Sequence, residues 1–202
     1  MVETGIVAGL LLGYLSLWRM ARQRGVRRSG IDPEVLQAAR TPVQQYFAHL
    51  TILLTSLVVG IIGLHAFAPP TWPPLVRIPG LNSLSYDVAG GLLGLTGLAT
   101  CAVAQATMGG SWRVGLDTEH PTALVTSGIY KLVRNPTSLG LHLVNLGLWL
   151  VWPTTLVSSY LVLFFVVMDI QVRAEEEHLL LTHGDAYRGY MGRTYRYLPM
   201  LY

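Results

Sequence analysis

The fold of this chain is decided by residues 135–168, which read NPTSLGLHLVNLGLWLVWPTTLVSSYLVLFFVVM. The run contains no Asp, Glu, Lys or Arg, and Pro153 interrupts it near the middle. One continuous helix of this length would be roughly 50 Å long, whereas the hydrocarbon core of a bilayer is ~30 Å thick. We therefore predict a hairpin of two membrane helices, at residues 137–152 and 154–175.

Three further apolar stretches precede this hairpin. Residues 46–68 and 88–112 also lack charged side chains, and an apolar segment covers residues 4–21. A membrane-spanning helix needs roughly 20 apolar residues. Over the whole chain only 12% of the residues are charged, compared with ~25% in a typical soluble domain. The sequence therefore predicts an all-α integral membrane protein with about five transmembrane helices, the last two forming the hairpin.

The basic residues indicate how the helices are oriented. Thirteen of the fourteen Lys and Arg residues fall in segments 19–43, 109–136 and 171–202, and only Arg77 lies elsewhere. Five crossings place these segments on one side, and cytoplasmic flanks carry an excess of Lys and Arg. We expect the N-terminus outside and the C-terminus in the cytoplasm, in a bacterial inner membrane. The net charge of +3 then reflects basic flanks at anionic headgroups rather than nucleic-acid binding.

A first polar segment, residues 124–136, immediately precedes the hairpin and reads LVTSGIYKLVRNP. Asn135 followed by Pro136 is typical of a helix start, with Asn as the cap and Pro in the first turn. A helix N-terminus carries free N–H groups and a partial positive charge, and Arg134 adds a guanidinium that suits a carboxylate. The segment could hold an anionic group of a cofactor, or it could be an ordinary capped helix start.

A second polar segment ends the hairpin with Glu175, Glu176, Glu177 and His178. Three adjacent carboxylates at a membrane edge are costly unless they are solvated or paired. A solvated helix end is one interpretation of this segment. In the other, Glu175 or Glu176 accepts hydrogen bonds from amino or hydroxyl groups of a cofactor, as carboxylates do well.

Together, the two segments resemble the isoprenylcysteine carboxyl methyltransferases and their bacterial relatives, which are close to the phospholipid N-methyltransferases. Residues 124–140 match the pattern LVTxGxYxxxR(H/N)PxYxG, and residues 175–190 match EExxLxxx(F)GxxYxxY. The resemblance covers roughly residues 108–199. It implies two parts: transmembrane helices 1–3 with a cytoplasmic connector at residues 1–107, and a methyltransferase core at residues 108–202.

This resemblance implies a methyltransferase that uses S-adenosylmethionine in a pocket at the cytoplasmic end of the bundle. Its substrate would be a lipophilic small molecule or lipid that enters from the membrane. Among the acceptor groups we favour a carboxylate, methylated on oxygen. The alternatives are N- or S-methylation of a lipid or small hydrophobic amine or thiol, and a non-catalytic membrane scaffold of the same fold. The cofactor-binding residues that the resemblance implies are Thr122, Leu124, Val125, Gly128, Tyr130, Arg134, Asn135, Pro136, Ser138, Glu175 and Glu176.

Arg173 and His178 are the candidate catalytic residues. A carboxylate acceptor, with a pKa near 4, needs no base, whereas an amine or thiol acceptor would need one and His178 could serve. The chain departs from the family pattern at three places: Asn135 replaces the usual His, Ser138 replaces the usual Tyr, and Gln171 stands where the family often has Arg. The resemblance implies that an Arg at the position of Gln171 would bind the acceptor's carboxyl group, and Arg173 lies on another helix face than Gln171. This weighs against prenylcysteine itself as the acceptor.

Other classes of protein fit this sequence less well. Glu175 and His178 have the Glu-x-x-His spacing of di-iron bundles, but the sequence lacks a second such pair, so we expect no metal site. A soluble Rossmann methyltransferase is excluded because the sequence has no Gly-x-Gly-x-x-Gly turn. A transporter would place ionisable residues at mid-membrane, whereas the charges of this chain lie at one interface.

Overall fold

The structure, a computed structural model, describes residues 2–30, 32–34, 42–113 and 123–197 of the chain. These residues form six α-helices and three short 3₁₀ helices. The α-helices are α1 (Val2–Ser29), α2 (Pro42–Phe67), α3 (Leu84–Met108), α4 (Pro136–Val151), α5 (Thr155–His183) and α6 (Asp185–Met191). The 3₁₀ helices span Pro73–Leu75, Gly109–Ser111 and Gly128–Lys131.

The predicted helical membrane fold is confirmed. By length and composition, α1, α2, α3 and α5 are each long and apolar enough to cross a membrane. The apolar helix α4 is shorter, with 16 residues, and forms the predicted hairpin with α5. The turn between them buries Trp152, Pro153 and Thr154. The described residues therefore form an all-helical integral membrane protein in which five helices are apolar.

Two helices extend beyond their predicted membrane spans. The first span is predicted at residues 4–21 with a polar connector from residue 22, but α1 continues to Ser29. Its added turns are basic, and Arg22 Nε donates to Asp32 Oδ1 at 2.9 Å. Likewise, α5 continues past residue 175 to His183, as expected for a helix whose sequence has no breaker after the membrane span. It stops where Gly184 adopts a φ of 53°, a left-handed conformation that favours glycine.

The most closely packed helices, α3 and α4, run antiparallel with glycines at their interface. A Cβ added at Gly97 would lie 2.5 Å from the carbonyl oxygen of Gly140, and one at Gly90 would lie 2.6 Å from that of Gly147. Because these distances are shorter than any ordinary contact, only glycine lets the two backbones approach this closely. Gly94, between these two glycines on α3, accommodates Leu10 of α1.

The bundle has two ends with different chemistry. We call the end with the start of α1 and the α4–α5 turn the far end, and the opposite end the site end. At the far end, Arg77 Nη2 pairs with Glu3 Oε2 at 2.8 Å and with buried Asp87 at 3.5 Å. The same nitrogen donates to the carbonyl oxygen of Val151 at 2.8 Å. Of the Lys and Arg residues that the structure describes, only Arg77 lies at the far end.

Candidate active site

A buried carboxylate joins the two polar segments at the site end. Glu176 of α5 is only 3% exposed. Its Oε1 accepts hydrogen bonds from Arg134 Nε at 2.6 Å and from Asn135 Nδ2 at 2.9 Å. Its Oε2 accepts from Arg196 Nη2 at 2.7 Å and Nε at 3.1 Å. We call these four residues the carboxylate clamp. Because a buried charge is stable only when it is paired, the clamp fixes loop, helix and tail to one another.

The tail that follows α6 also pairs with the loop before α4 through its backbone. The amide of Arg134 donates to the carbonyl oxygen of Tyr195 at 2.9 Å, and the amide of Tyr195 donates to Leu132 at 3.0 Å. Arg134 Nη1 reaches the carbonyl oxygen of Thr194 at 2.8 Å. The loop before α4 is therefore held in place by residues about 60 positions further along the chain.

The clamp alters two expectations about the start of α4. Asn135 is the N-cap residue, but its side chain makes no capping hydrogen bond and donates to Glu176 instead. Arg134, which the sequence offers to a cofactor, directs Nε and Nη1 to Glu176 and Thr194. The physical reason is that the buried carboxylate of Glu176 needs hydrogen-bond donors, and the side chains of Arg134 and Asn135 supply them.

The neighbouring Glu175 is not part of the clamp. Successive residues of an α-helix point ~100° apart, and Glu175 lines two cavities at the site end. Its side chain is half-buried, and no residue of the described ranges donates a hydrogen bond to it. Among the described residues this half-buried carboxylate has no donor, so it is a candidate acceptor for a ligand in either cavity.

Three cavities run from the site end into the apolar part of the bundle. The polar cavity, of about 100 Å³, lies between α6, the end of α5 and the loop before α4. The junction cavity and the apolar cavity follow, each of about 150 Å³. The polar and junction cavities share Met108, Arg113, Tyr130, Arg134, Asn135 and Glu175. The junction and apolar cavities share Tyr14, Leu141, Met168 and Gln171. A polar space and a hydrocarbon-like space therefore adjoin the same junction.

Most of the predicted cofactor-binding residues line these cavities. Those on the walls of the polar cavity are Leu124, Val125, Tyr130, Arg134, Asn135 and Glu175. Pro136 and Ser138 line the junction cavity. The candidate base His178 lines the polar cavity and is absent from the walls of the junction cavity.

Three other predicted residues of the described ranges lie elsewhere. Glu176 is enclosed by the clamp, and Gly128 forms a turn with a φ of 58°, against Thr107. The side chain of Arg173 is 53% exposed and pairs with Asp169 at 2.7 Å, outside the walls of the three cavities. Thr122 lies outside the described residues.

Sequence reasoning missed several polar side chains of the junction cavity. They are Tyr14, Gln44, Gln105 and Arg113. Gln105 is only 8% exposed. In the described part of the chain, its side-chain amide has no hydrogen-bond partner. The signal that could have found it is an amide side chain within the uncharged stretch 88–112, because a polar group inside a membrane helix usually has a function.

Burial and hydrogen bonding shift the protonation equilibria of the site-end residues. Burial raises the pKa of Tyr190 to about 12 and also raises the pKa of Tyr130 and Tyr187. These phenols therefore stay protonated at neutral pH, and Tyr190 donates to the carbonyl oxygen of Tyr130 at 2.7 Å. The hydrogen bond to Glu176 raises the pKa of Arg196, which keeps the clamp charged.

The family of the chain follows from a comparison with known proteins. No curated protein sequence matches it. The family model described as phospholipid methyltransferase matches residues 86–186, which is half of the chain and includes both polar segments. This family consists of membrane methyltransferases with lipid-like substrates and includes the isoprenylcysteine carboxyl methyltransferase-like proteins, so the predicted resemblance is confirmed. The chain belongs to the phospholipid methyltransferase family.

Proposed function

We propose that the chain is an S-adenosylmethionine-dependent methyltransferase whose acceptor is a lipophilic molecule from the membrane. The observation that carries this proposal is the junction cavity, which shares walls with a polar cavity on one side and an apolar cavity on the other. A charged nucleotide cofactor and a hydrocarbon acceptor need opposite surroundings, yet their reacting atoms must approach to ~3–3.5 Å. By the positive-inside rule, the site end faces the cytoplasm.

The residues of the polar cavity suit the cofactor. Glu175 offers a carboxylate to its amino group or ribose hydroxyls. Leu124 and Val125 line the wall on the loop side, and Tyr130 adds an aromatic face. The start of α4 at Pro136 adds backbone N–H groups and a partial positive charge. These hydrogen-bond donors and acceptors fit a ligand that carries a positive and a negative charge.

Bound S-adenosylmethionine supplies an electrophilic methyl group on a positively charged sulfur. In the transfer, an electron pair of the acceptor would form the new bond to this carbon, and the pair of the broken carbon–sulfur bond would remain on sulfur. The protein then needs mainly to align the two partners and to exclude water. The clamp provides rigidity for this alignment, because it fixes the corner at Asn135 against α5.

For the acceptor group, we favour a carboxylate. Gln105, Gln171 and Tyr14 line the junction cavity with uncharged hydrogen-bonding groups. The candidate base His178 lines the polar cavity instead. A carboxylate is already ionised at neutral pH and requires no base. The side-chain amide N–H groups of Gln105 and Gln171 can donate hydrogen bonds to it.

N-methylation of a lipophilic amine is the second candidate. The observation that favours it is the carboxylate of Glu175, which lines the junction cavity and would attract a cationic amine and accept its proton. The products distinguish the two reactions, because a methyl ester is labile to base and an N-methyl group is not.

The first experiment is calorimetric titration of the detergent-purified protein with S-adenosylmethionine. We expect Glu175→Ala to weaken the affinity about tenfold or more, the loss typical of a hydrogen bond between charged groups. Glu177→Ala is the matched control, because Glu177 is an exposed neighbour on the same helix. A wild-type protein that does not bind the cofactor would overturn the proposed function, and unchanged affinity in Glu175→Ala would overturn only the residue assignment.

The second experiment identifies the acceptor. The protein is incubated with S-adenosylmethionine labelled in its methyl group and with a panel of lipophilic acids, amines, phenols and thiols. We expect label in the acid products and its release by base. Base-stable label in the amine products would instead establish the second candidate, and no transfer to any class would favour a non-catalytic scaffold.

A further inference from the structure

A buried amide side chain lies on the wall of the apolar cavity. Asn145 of α4 is only 6% exposed, and it lines this cavity beside the apolar residues Val144 and Leu148. Its Nδ2 donates to the carbonyl oxygen of Leu141, one turn earlier, at 2.9 Å. In the part of the chain that the structure describes, its Oδ1 accepts no hydrogen bond. A polar group is costly to bury unless it is bonded, and inside a membrane helix it usually has a function. Asn145 is therefore a candidate contact for a ligand of this cavity.

A second polar group lies at nearly the same level of the bundle. Tyr160 of α5 is 5% exposed and lines the same cavity, and within the described ranges its hydroxyl has no hydrogen-bond partner. The bond from Trp149 Nε1 to Ser158 Oγ, at 2.9 Å, gives the register of the α4–α5 hairpin. At 1.5 Å per residue, this register places Asn145 and Tyr160 within roughly 3 Å of the same level along the bundle. The apolar cavity therefore contains a carbonyl-type acceptor and a hydroxyl at one level.

This level can be reached from the junction cavity. Asn145 follows Ser138, which lines the junction cavity, by about two turns of α4, or roughly 10 Å. Leu141 lies between them and lines both cavities, as does Gln171 of α5. A molecule whose reacting group lies at the junction can therefore extend along α4 as far as Asn145.

We propose that Asn145 determines which acceptors are bound, because its Oδ1 accepts a hydrogen bond from a hydroxyl group of the acceptor, roughly 10 Å along the chain from the methylated group. This inference rests on the proposed function. The acceptor is then a hydroxylated lipid and not a plain hydrocarbon chain with one polar end.

The chemistry of the two side chains suits a hydroxyl. A hydroxyl group both donates and accepts hydrogen bonds, so it can donate to an amide oxygen such as that of Asn145 and accept from a phenol such as that of Tyr160. A plain hydrocarbon chain in this cavity would leave both groups without a partner, and an unpaired buried polar group weakens binding. The cavity should therefore select the hydroxylated chain over the plain one.

The test compares ligands that differ only in the presence and position of a hydroxyl group. Hexadecanoic acid is compared with its near-head isomer, hydroxylated at the second carbon, and with its mid-chain isomer, hydroxylated at the ninth carbon. The corresponding amines are tested in parallel, so the result does not depend on which head group is methylated. Affinity for the detergent-purified whole chain is obtained from the rise of the thermal unfolding midpoint with ligand concentration, which requires no turnover.

The variants are Asn145→Leu and Asn145→Ala, with Thr96→Val as the matched control. Thr96 Oγ1 also donates to the carbonyl oxygen four residues earlier, that of Leu92, at 2.9 Å. Thr96 is exposed on α3 and lies outside the walls of the three cavities. The control therefore removes a comparable polar group from a membrane helix without altering the apolar cavity.

We expect the wild-type protein to bind the mid-chain isomer several-fold more tightly than the plain chain or the near-head isomer, as one net hydrogen bond implies. Asn145→Leu and Asn145→Ala should lose this preference, and Thr96→Val should keep it. The Ala variant serves if the larger Leu side chain disturbs the packing. The inference is overturned if wild type shows no preference for the mid-chain isomer, if it binds none of the chains, or if the preference survives in a folded Asn145 variant.

A separate assay distinguishes failure of this inference from failure of the proposed function. The same samples are incubated with S-adenosylmethionine labelled in its methyl group. Methyl transfer by wild type to the plain chain and both isomers alike would keep the proposed function and remove the role of Asn145. A wild-type protein that binds no S-adenosylmethionine would remove both.

Discussion

Each end of the helix bundle contains a charged side chain that several partners neutralise, but the sign of that charge differs between the ends. At the far end, one cation, Arg77, pairs with Glu3 and Asp87 and with the carbonyl oxygen of Val151. At the site end the signs are reversed, because one carboxylate, Glu176, is surrounded by two guanidinium groups and an amide. Both networks join segments that are distant in sequence, and both neutralise a charge that would be costly to bury alone.

The difference lies in what each network leaves over. Next to Glu176, the helix carries a second carboxylate, Glu175, that the network does not use and that lines two cavities. At the far end, Glu3 and Asp87 are both bound to Arg77. A cluster of charges at a helix end is therefore a weak indicator of a functional site. The stronger indicator is a charge that lines a cavity and that the network of the described residues does not use.

The largest effect is expected from Glu176→Ala. This change leaves Arg134 and Arg196 buried beside each other without their shared carboxylate, which costs about 3–5 kcal/mol of the free energy of unfolding. Chemical denaturation in detergent measures the loss, and the same sample should bind S-adenosylmethionine more weakly. Glu177→Ala, at an exposed position, should match the wild type in both measurements. Equal stability of the two variants would show that the clamp does not stabilise the fold.

An intermediate effect is expected from Arg77→Ala at the far end. It removes the ion pair of Asp87, which is 7% exposed, and the donor to Val151, at a cost of about 2–3 kcal/mol. We expect a smaller loss than for Glu176, because the side chain of Glu3 is 37% exposed and water compensates part of that contact. Cofactor affinity should not change. Weaker cofactor binding in this variant would show that the two ends are coupled.

The sequence predicts the fold better than it predicts the site. The uncharged run at 135–168, its break at Pro153 and the asymmetry of the basic residues are enough to specify the hairpin and the two ends. These signals work because a bilayer imposes one length and one polarity on every span. The convergence of Arg134 and Asn135 with the acidic end of α5 also follows from this topology, because both elements lie at the same end.

The sequence could not predict which of Glu175 and Glu176 belongs to the clamp and which one lines the cavities. The two residues have the same chemistry and adjacent positions, so no local pattern distinguishes them. Their roles depend on the tail around Arg196, which is 20 residues further along the chain and which pairs with Glu176. The cavity residues Tyr14 and Gln105 are equally hidden from sequence reasoning, because helices that are far apart in the chain together form the junction.

The smallest effect is expected from removing a neutral hydrogen bond at each end. The comparison tests whether such a bond influences cofactor binding only at the site end. Tyr190→Phe removes the 2.7 Å bond to the carbonyl oxygen of Tyr130 at the site end, and Ser158→Ala removes the acceptor of Trp149 Nε1 at the far end. Each change should cost about 1 kcal/mol in the free energy of unfolding. Only Tyr190→Phe should also weaken cofactor binding, by a few fold, because Tyr130 lines both the polar and the junction cavities. Equal binding losses in the two variants would mean that affinity follows stability alone, and the distinction between the ends would then fail.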